Sequence, residues 1–262
     1  MSPADVALLR ALRSGAPAPV PFVELERLAN LTRDGLSAAL DDLHAAGFQL
    51  EHVGDGVAFR AAPDRLIAAD LRAGLEENAL IGREIIVLEQ TDSTNDFLLR
   101  AASPETPEGL VAFAETQTAG RGQHGKQWAS APRRGLWFSI LLRPEIALAD
   151  SPRLTTWIAQ TIAGTIRTEL ALETAVKPPN DVFVGDRKIA GVLVEMRATA
   201  QSHLAIAGIG INVNHEAADF PEEIRARAGS LRMSVNRVLE RRDLAVAVLR
   251  NLDVTYRETF SP

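Results

Sequence analysis

Cysteine is absent from the 262-residue sequence. Its absence excludes disulfide bonds, zinc sites built from thiolates and a cysteine nucleophile. Redox chemistry by protein thiols is excluded for the same reason. A chain without cysteine fits a reducing compartment, and we expect the protein to act in the cytoplasm.

Clustered histidines and long apolar runs are missing as well. The five histidines are scattered without the spacing of a metal-binding pair, so the sequence predicts no dedicated transition-metal site. A magnesium ion held by a nucleotide stays compatible with the sequence. The longest run of apolar residues and glycine, Leu204 to Ile211, is too short to cross a bilayer, and the N-terminus lacks the pattern of a signal peptide. We therefore expect no membrane association.

The composition is that of a globular protein. Hydrophobic residues make up 46% of the chain, which is long enough for one sizeable core and a small extra domain. The formal net charge of -6 argues against a general affinity for nucleic acids.

One glycine-rich segment, Gln117 to Trp128, carries the first functional signal. Three glycines let its backbone turn tightly and approach a bound group, while Arg121 and Lys126 add positive charge, so we expect an anion to bind there. The segment matches G-x-G-x-x-G and nearly matches the P-loop. Both motifs require a helix to start inside the loop, whereas a turn-like stretch here continues into a predicted strand over 136–142. The sequence therefore predicts a different kind of ligand loop.

The N-terminal region has the element order of a winged helix-turn-helix domain, predicted over residues 1–63. Its charges disfavour DNA, because residues 1–65 hold six basic and nine acidic side chains. A module retained for packing or interaction is the slightly favoured alternative. The predicted elements are helices over 4–13, over Phe22 to Ala29 and from an N-cap at Thr32 to Gly47, then hairpin strands over 48–53 and 57–60.

The rest of the chain predicts an α+β domain over 83–262, preceded by a linker with a short helix over 64–82. Hairpin-linked strands predict a mixed, largely antiparallel sheet flanked by helices, and two prolines keep the 176–184 segment out of ordinary central sheet. The predicted elements are strands over 84–88, 110–114, 136–142, 187–195 and 204–214, and helices starting at Ser151 and spanning about 221–227 and 235–256.

The short run from Asp92 to Asn95 permits two interpretations. Asp92 or Ser93 is suited to cap the following helix, which is the favoured interpretation in isolation. Alternatively, Ser93, Thr94 and Asn95 offer hydroxyl and amide groups to a small polar ligand.

Five motifs follow one another along the chain. They are Asp-Ser-Thr-Asn, Gln-x-x-Gly-Arg-Gly-x-x-Gly-x-x-Trp, Lys-x-Pro-Asn-Asp, Arg-Lys-Ile-Ala-Gly-Val-Leu-Val-Glu and Gly-Ile-Gly-Ile-Asn-Val-Asn. Their order resembles biotin protein ligase, including its bifunctional subtype with an N-terminal winged helix that represses the biotin operon. The resemblance runs from about Glu84 to Asn214 and implies a class II synthetase-like catalytic domain.

The resemblance implies that biotin and ATP form biotinyl-AMP, and that biotin then passes to one lysine of a biotin carboxyl carrier protein. It also implies the roles of the matching residues. Biotin contacts fall on Ser93, Thr94, Asn95, Gln117, Gly120, Arg121, Gly122, Gln123 and Lys188. Catalytic roles fall on Arg121, Lys188, Lys177 and Asp181, with Mg²⁺ at Asp181, and nucleotide contacts fall on Lys126, Trp128, Lys177, Asn180 and Asn212.

The sequence departs from the family pattern at three places. Gln123 and His124 replace two frequent loop arginines, which predicts weaker retention of biotinyl-AMP. Pro178 replaces a tryptophan in the Lys-x-Pro-Asn-Asp motif. The family usually adds a small C-terminal barrel, whereas this sequence ends at Pro262 after its last predicted helix, so we expect altered ATP affinity and acceptor docking.

Alternatives to the ligase remain at this stage. One is a biotin-responsive repressor, and another is a biotin-binding remnant without catalysis. Lipoate ligases share the fold, but the longer loop associated with them is not apparent. A side-by-side sheet homodimer is compatible with the family resemblance, since exposed edge strands can pair.

Overall fold

The computed structural model describes residues 2–198 and 203–260, and the chain divides into two compact units, Met1–Gly74 and Leu75–Pro262. The division falls inside the predicted linker over 64–82. The outer limits of the predicted domains, residues 1 and 262, lie outside the described residues, and the predicted division into domains stays a prediction.

The first unit contains helices packed with a small antiparallel sheet. Its described helices are α1 (Pro3–Gly15), α2 (Phe22–Ala29), α3 (Arg33–Ala45) and α4 (Ala68–Ala73), and its described strands are β1 (Val20–Pro21), β2 (Gln49–Val53) and β3 (Gly56–Ala61). Thr32 caps α3 as predicted, since its hydroxyl accepts a hydrogen bond from Gly35 N at 3.2 Å. Asn30 ends α2 in a left-handed conformation at φ 54°.

The sequence did not predict strand β1, which pairs antiparallel with β3 and places β3 between β1 and β2. Two residues, one of them proline, are too few to show the alternation that marks a strand. The core of this unit is leucine-rich, and it buries Leu8, Leu36 and Leu43 almost completely.

The described strands of the second unit form one seven-stranded sheet in the order β4-β5-β6-β10-β9-β8-β7. The β4–β5 pair is parallel and every other described pair is antiparallel. This confirms the predicted mixed, largely antiparallel sheet. The strands are β4 (Glu84–Thr91), β5 (Leu110–Gln117), β6 (Gly135–Leu142), β7 (Thr174–Lys177), β8 (Asp181–Val184), β9 (Arg187–Ala198) and β10 (His203–Asn212).

Helices flank this sheet. The described helices are α5 (Thr94–Ala101), α6 (Ser151–Leu170), α7 (Glu222–Arg225), α8 (Leu231–Val235) and α9 (Arg241–Phe260). Leu98 of α5 packs against Leu110, Ala112, Leu141 and Ile206 of the sheet. Helices α6 and α9 pack against each other, and both also contact strands of the sheet. None of the helices in the described ranges combines the length and apolar character needed to cross a bilayer.

The predicted helix over 235–256 is wrong at its N-terminal end. Val235 is the last residue of α8, Asn236 has a left-handed φ of 52°, and α9 begins at Arg241. The intervening chain is held by Asn214, whose amide group donates to Leu239 O at 2.8 Å and accepts from Leu239 N at 3.0 Å. These bonds replace helical hydrogen bonds, and nothing in the apolar spacing of the segment signals them.

A buried ion pair fixes the start of α9 to the sheet. The side chains of Arg241 and Glu115 are 1% and 2% exposed, and Arg241 Nη1 lies 2.6 Å from Glu115 Oε2. The same nitrogen donates to Gly135 O at 3.2 Å. Because Glu115 lies two residues before Gln117, this pair anchors the strand that leads into the glycine-rich loop.

The first prediction concerns this ion pair. Glu115→Gln leaves the Arg241 charge without its buried counter-ion, so we expect the free energy of unfolding to fall by about 3 to 5 kcal/mol. Urea unfolding followed by circular dichroism measures the change.

The matched control is Glu89→Gln, which breaks the exposed Arg133–Glu89 pair at 2.7 Å. We expect this variant to lose less than about 1 kcal/mol. Equal losses in the two variants would show that the buried pair does not stabilise the unit as described.

Candidate active site

An open cleft lies between the glycine-rich loop, the start of α5 and strands β9 and β10. It brings together residues from four of the five sequence motifs and the glycines of the fifth. The lining residues are Ser93, Thr94, Asn95, Gln117, Arg121, Gly122, Gln123, Trp128, Asn180, Lys188, Gly191, Val192, Leu193, Gly208, Ile209 and Gly210.

The floor of the cleft is made by glycines on two paired strands. Gly208 and Gly210 share one face of β10, and Gly191 of β9 pairs with Gly210. A Cβ atom at Gly208 would lie 2.2 Å from Asn95 Oδ1, and one at Gly210 would lie 2.5 Å from the Trp128 ring. Side chains at these positions would therefore displace the two residues that rest on the floor.

The glycine-rich loop is a tight hairpin. Trp128 N donates to Gly120 O at 2.8 Å, and Gly122 N donates to Lys126 O at 2.7 Å. A Cβ at Gly120 would lie 2.6 Å from Trp128 O, so the neck of the hairpin requires glycine there. Its tip at Gln123–Gly125 is a three-residue 3-10 turn that the sequence did not predict. The described chain then reaches β6 without an α-helix, in agreement with the rejection of both nucleotide-loop motifs.

A hydrogen-bonded polar wall forms where α5 begins. Gln117 Oε1 accepts from Thr94 N at 2.8 Å, and Gln117 Nε2 donates to Ser130 Oγ at 3.1 Å. The buried Ser139 hydroxyl donates to Asn95 Oδ1 at 2.6 Å and lies 2.7 Å from Thr94 Oγ1. These hydrogen bonds orient the polar wall, which consists of the cleft-lining residues Ser93, Thr94, Asn95 and Gln117.

The capping interpretation of the Asp92 to Asn95 run is wrong. Ser93 stands at the N-cap position, but within this described stretch its side chain accepts no hydrogen bond from the helix. Asp92 instead accepts from Ser93 N at 2.7 Å and forms an ion pair with Arg100. Its hydrogen bonds with Arg100 hold the pKa of Asp92 well below its usual range. Ser93 is therefore left to line the cleft.

Arg121 reaches from the loop to two carboxylates that sequence reasoning missed. Its Nη1 and Nη2 atoms donate to Glu195 Oε1 and Oε2 at 3.0 and 2.5 Å, and Nη2 lies 2.8 Å from Asp96 Oδ1. The hydrogen bonds with Glu195 raise the pKa of Arg121. The sequence did contain a signal for Glu195. This residue ends the fourth motif, and the two-residue period of a strand places it on the same face as Gly191.

Lys188 lies beside Trp128 in the lining of the cleft. Its Nζ is 2.6 Å from Asp181 Oδ1 and 5.2 Å from the centroid of the Trp128 ring. The backbone of Lys188 is held as well, because its N–H donates to Arg227 O and its carbonyl accepts from Gly229 N, both at 2.9 Å. Contacts therefore hold both the side chain and the backbone of Lys188.

Five predicted site residues stand outside the lining of the cleft in the described part of the chain: Gly120, Lys126, Lys177, Asp181 and Asn212. Gly120 forms the loop neck and Asp181 pairs with Lys188 behind the lining. Lys177 Nζ lies 3.7 Å from the centroid of the Phe183 ring, and Lys126 is exposed. The amide of Asn212 donates to Gly229 O at 3.0 Å, which connects it to the segment that holds Lys188.

The fit of a magnesium ion depends on Asp181. Among the described residues, no group of three or more His, Cys, Asp or Glu side chains could hold a metal. Asp181 offers one carboxylate beside Lys188, which is compatible with an ion that takes its remaining ligands from phosphates and water. Its role as a metal ligand stays a prediction.

An aromatic row continues from the cleft into the interior. Trp128 packs edge-on against Trp137, Trp137 against His215, and His215 stacks on Phe220 with ring centroids 4.9 Å apart. His215 is 1% exposed and its Nδ1 has no hydrogen-bond partner within residues 2–198 and 203–260. Burial lowers the pKa of His215 to about 4, so the imidazole is neutral at pH 7.

The second prediction follows from this histidine. Its folded-state pKa lies below the unfolded value of 6.5, so its contribution to stability is complete above pH 6.5 and is lost as pH falls towards 4. Between pH 7 and 4.5 we expect the native protein to lose on the order of 2 kcal/mol more than His215→Phe. Urea titrations of both proteins at the two pH values measure this difference. Parallel pH profiles would contradict a neutral buried imidazole.

Comparison with known proteins identifies the family. The model of the biotin/lipoate A/B protein ligase family matches residues 87–212, the stretch that contains the cleft. The bifunctional ligase/repressor BirA of Bacillus subtilis is 32% identical over 221 residues, which cover 84% of this chain and 68% of the relative. The chain therefore belongs to the biotin/lipoate A/B protein ligase family, and the resemblance to biotin protein ligase is confirmed.

Other relatives agree with this assignment. The biotin--[acetyl-CoA-carboxylase] ligase of Mycobacterium tuberculosis is 35% identical over 201 residues, covering 70% of this chain and 71% of the relative. The biotin protein ligase of Aquifex aeolicus, solved in complex with biotin and ATP, matches with a TM-score of 0.57 and 30% identity. That match covers 68% of this chain and 74% of the other. The second unit therefore has the fold of a biotin ligase catalytic domain.

Proposed function

We propose that the protein activates biotin with ATP as biotinyl-AMP and transfers biotin to one lysine of a biotin carboxyl carrier protein. The observation that carries this proposal is the cleft, which brings the polar wall at α5, Arg121 and Lys188 together around a glycine floor. The complex of the Aquifex aeolicus ligase with biotin and ATP supports both substrates.

Biotin combines an uncharged ureido ring with a carboxylate at the end of a short chain. The polar wall suits the ring, because Ser93, Thr94 and Gln117 offer both donors and acceptors. Asn95 acts mainly through its neighbours, since its amide is engaged by Ser139 and Glu195. Gly120, Gly122 and Gln123 would cover the ring from the loop.

The carboxylate lies towards the cations in this proposal. A biotin carboxylate oxygen attacks the α-phosphorus of ATP, a bond to that phosphorus forms, and pyrophosphate leaves. Arg121 and Lys188 offset the negative charge of the two reacting anions, an electrostatic positioning that dominates reactions of this type. The acceptor lysine amine then attacks the acyl carbon, AMP leaves, and an amide bond forms. We assign to Asp181 the role of orienting the amine.

The nucleotide is assigned to the side of the cleft around Trp128 and Asn180. Lys126 and Lys177 are proposed to approach its phosphates, and Asn212 to act near it through the segment around Gly229. A magnesium ion at Asp181 would supply further charge neutralisation to the phosphates when bound.

The third prediction tests this function. Purified protein with ATP, magnesium, biotin and a carrier domain should attach biotin to the carrier lysine, as measured by intact mass spectrometry. Lys188→Gln removes a charge beside the reacting centre, so we expect the rate of adenylate formation to fall by about 10²- to 10³-fold. Arg153→Gln, a change on the exposed face of α6, is the control and should keep the native rate.

Measurement of pyrophosphate release with biotin alone separates the two half-reactions. Pyrophosphate release without labelling of the carrier would support the adenylation step and contradict the transfer step. Neither pyrophosphate nor labelled carrier at saturating substrates would overturn the proposed function in favour of a biotin-binding remnant.

For the first unit we propose a winged helix-turn-helix that serves in packing or interaction rather than in DNA binding. The exposed face of α3 carries Asp34, Asp41 and Asp42. Arg33 forms an ion pair with Glu26 at 3.3 Å and lies over the Phe22 ring, 4.6 Å from its centroid. This cation is thus engaged within the unit. A homodimer through the sheet edges stays a prediction.

The fourth prediction concerns DNA. With biotin and ATP present at about 0.1 M salt, we expect no retention of duplex DNA in an electrophoretic shift, because the acidic α3 face repels phosphates. A shift that weakens steeply as salt rises would restore the repressor alternative.

A further inference from the structure

We propose that Glu195 is a positioning residue that holds Arg121 over the cleft and gives it up to the anion of the substrate. The inference rests on the proposed function, since that anion is taken to be the carboxylate of biotin or the phosphate of its adenylate. Glu195 stands outside all the roles that the family motifs imply for this chain.

The first argument is geometric. Glu195 engages Arg121 through two parallel hydrogen bonds, the strong bidentate arrangement that a carboxylate ligand would also use. Asp96 Oδ1 lies 2.8 Å from Nη2 of the same guanidinium and forms a second ion pair with it. The pair of N–H groups that a carboxylate ligand would use is therefore already committed to Glu195.

The second argument concerns charge. One guanidinium and two carboxylates give this cluster a net charge of about -1, which repels an incoming anion. Arg121 can offer this bidentate pair of N–H groups to an anion only after Glu195 leaves them. Their side chains are 37%, 27% and 34% exposed for Arg121, Glu195 and Asp96, so water can take part in the exchange.

The third argument is the position of Glu195 between two parts of the site. Glu195 Oε2 also accepts from Asn95 Nδ2 at 2.8 Å, so one carboxylate connects the loop to the polar wall at α5. Arg121 lies between Gly120 and Gly122 at the base of the hairpin, so a change of its partners acts at the neck of the loop. Exchange of Glu195 for the substrate anion therefore affects both the loop and the polar wall at α5.

The test uses Glu195→Gln, which removes the charge but keeps an oxygen that can accept from Asn95. In the ligand-free protein we expect faster amide hydrogen exchange over residues 118–127. We also expect the dissociation constant for biotin, measured by calorimetry, to fall about fivefold, because the competing carboxylate is gone. In turnover, the KM for biotin should fall while kcat falls little or not at all.

Two further variants complete the test. Asp96→Asn removes one contact and should shift the same quantities in the same direction by a smaller factor, which keeps the test available if Glu195→Gln does not fold. Glu89→Gln breaks a comparable exposed pair with Arg133 away from the cleft and should match the native protein.

The outcomes distinguish failure of the Glu195 exchange from failure of the proposed function. If the native protein binds biotin and Glu195→Gln binds it equally or more weakly, the exchange is overturned and Glu195 has a structural role. If the native protein binds no biotin, the proposed function fails. Unchanged loop exchange in Glu195→Gln would then overturn the holding role of Glu195 independently.

Discussion

The pairing of β9 with β10 places Gly191 opposite Gly210, and the rest of the site depends on this absence of side chains. Trp128 and Asn95 rest on the floor at distances that a Cβ atom would forbid. Trp128 in turn closes the neck of the loop and contacts Lys188, while Asn95 meets Glu195 and so reaches Arg121. Two short strand segments thereby position the loop, the polar wall and both cations.

A second constraint is that the described structure already compensates the charges proposed for catalysis. Arg121 is held by Glu195 and Asp96, and Lys188 by Asp181. Such pairing keeps the cations ordered. An anionic substrate must then compete with the carboxylates of the protein for them. The geometry of the site is therefore preorganised, while the ion-pair partners of its cations can be exchanged for the anions of the substrates.

Local signals, namely period-two strands and the turns between them, predict the sheet class. The cleft was predicted through the resemblance of the ordered motifs to a known family, which implies that Ser93, Gln117, Arg121 and Lys188 act in one site. The role of Glu195 was missed because it depends on a contact between residues 74 positions apart. Two local predictions failed as well.

These two failures have physical reasons. At the start of α5, Asp92 pairs with Arg100, and the N–H of Thr94 donates to Gln117 Oε1, 23 positions away, rather than to a local capping side chain. The start of α9 was misplaced because Asn214 holds Leu239, 25 positions away, in a non-helical segment. In both places a contact from outside the segment overrides a local preference.

A crystal structure with biotinyl-AMP bound tests the central claim most directly. The account predicts that the ureido ring contacts the wall at α5, that the Arg121 guanidinium contacts the adenylate, and that at least one of its hydrogen bonds to Glu195 is broken. A ligand bound elsewhere would contradict the assignment of the cleft. A ligand in the cleft beside an intact Arg121–Glu195 pair would contradict the exchange.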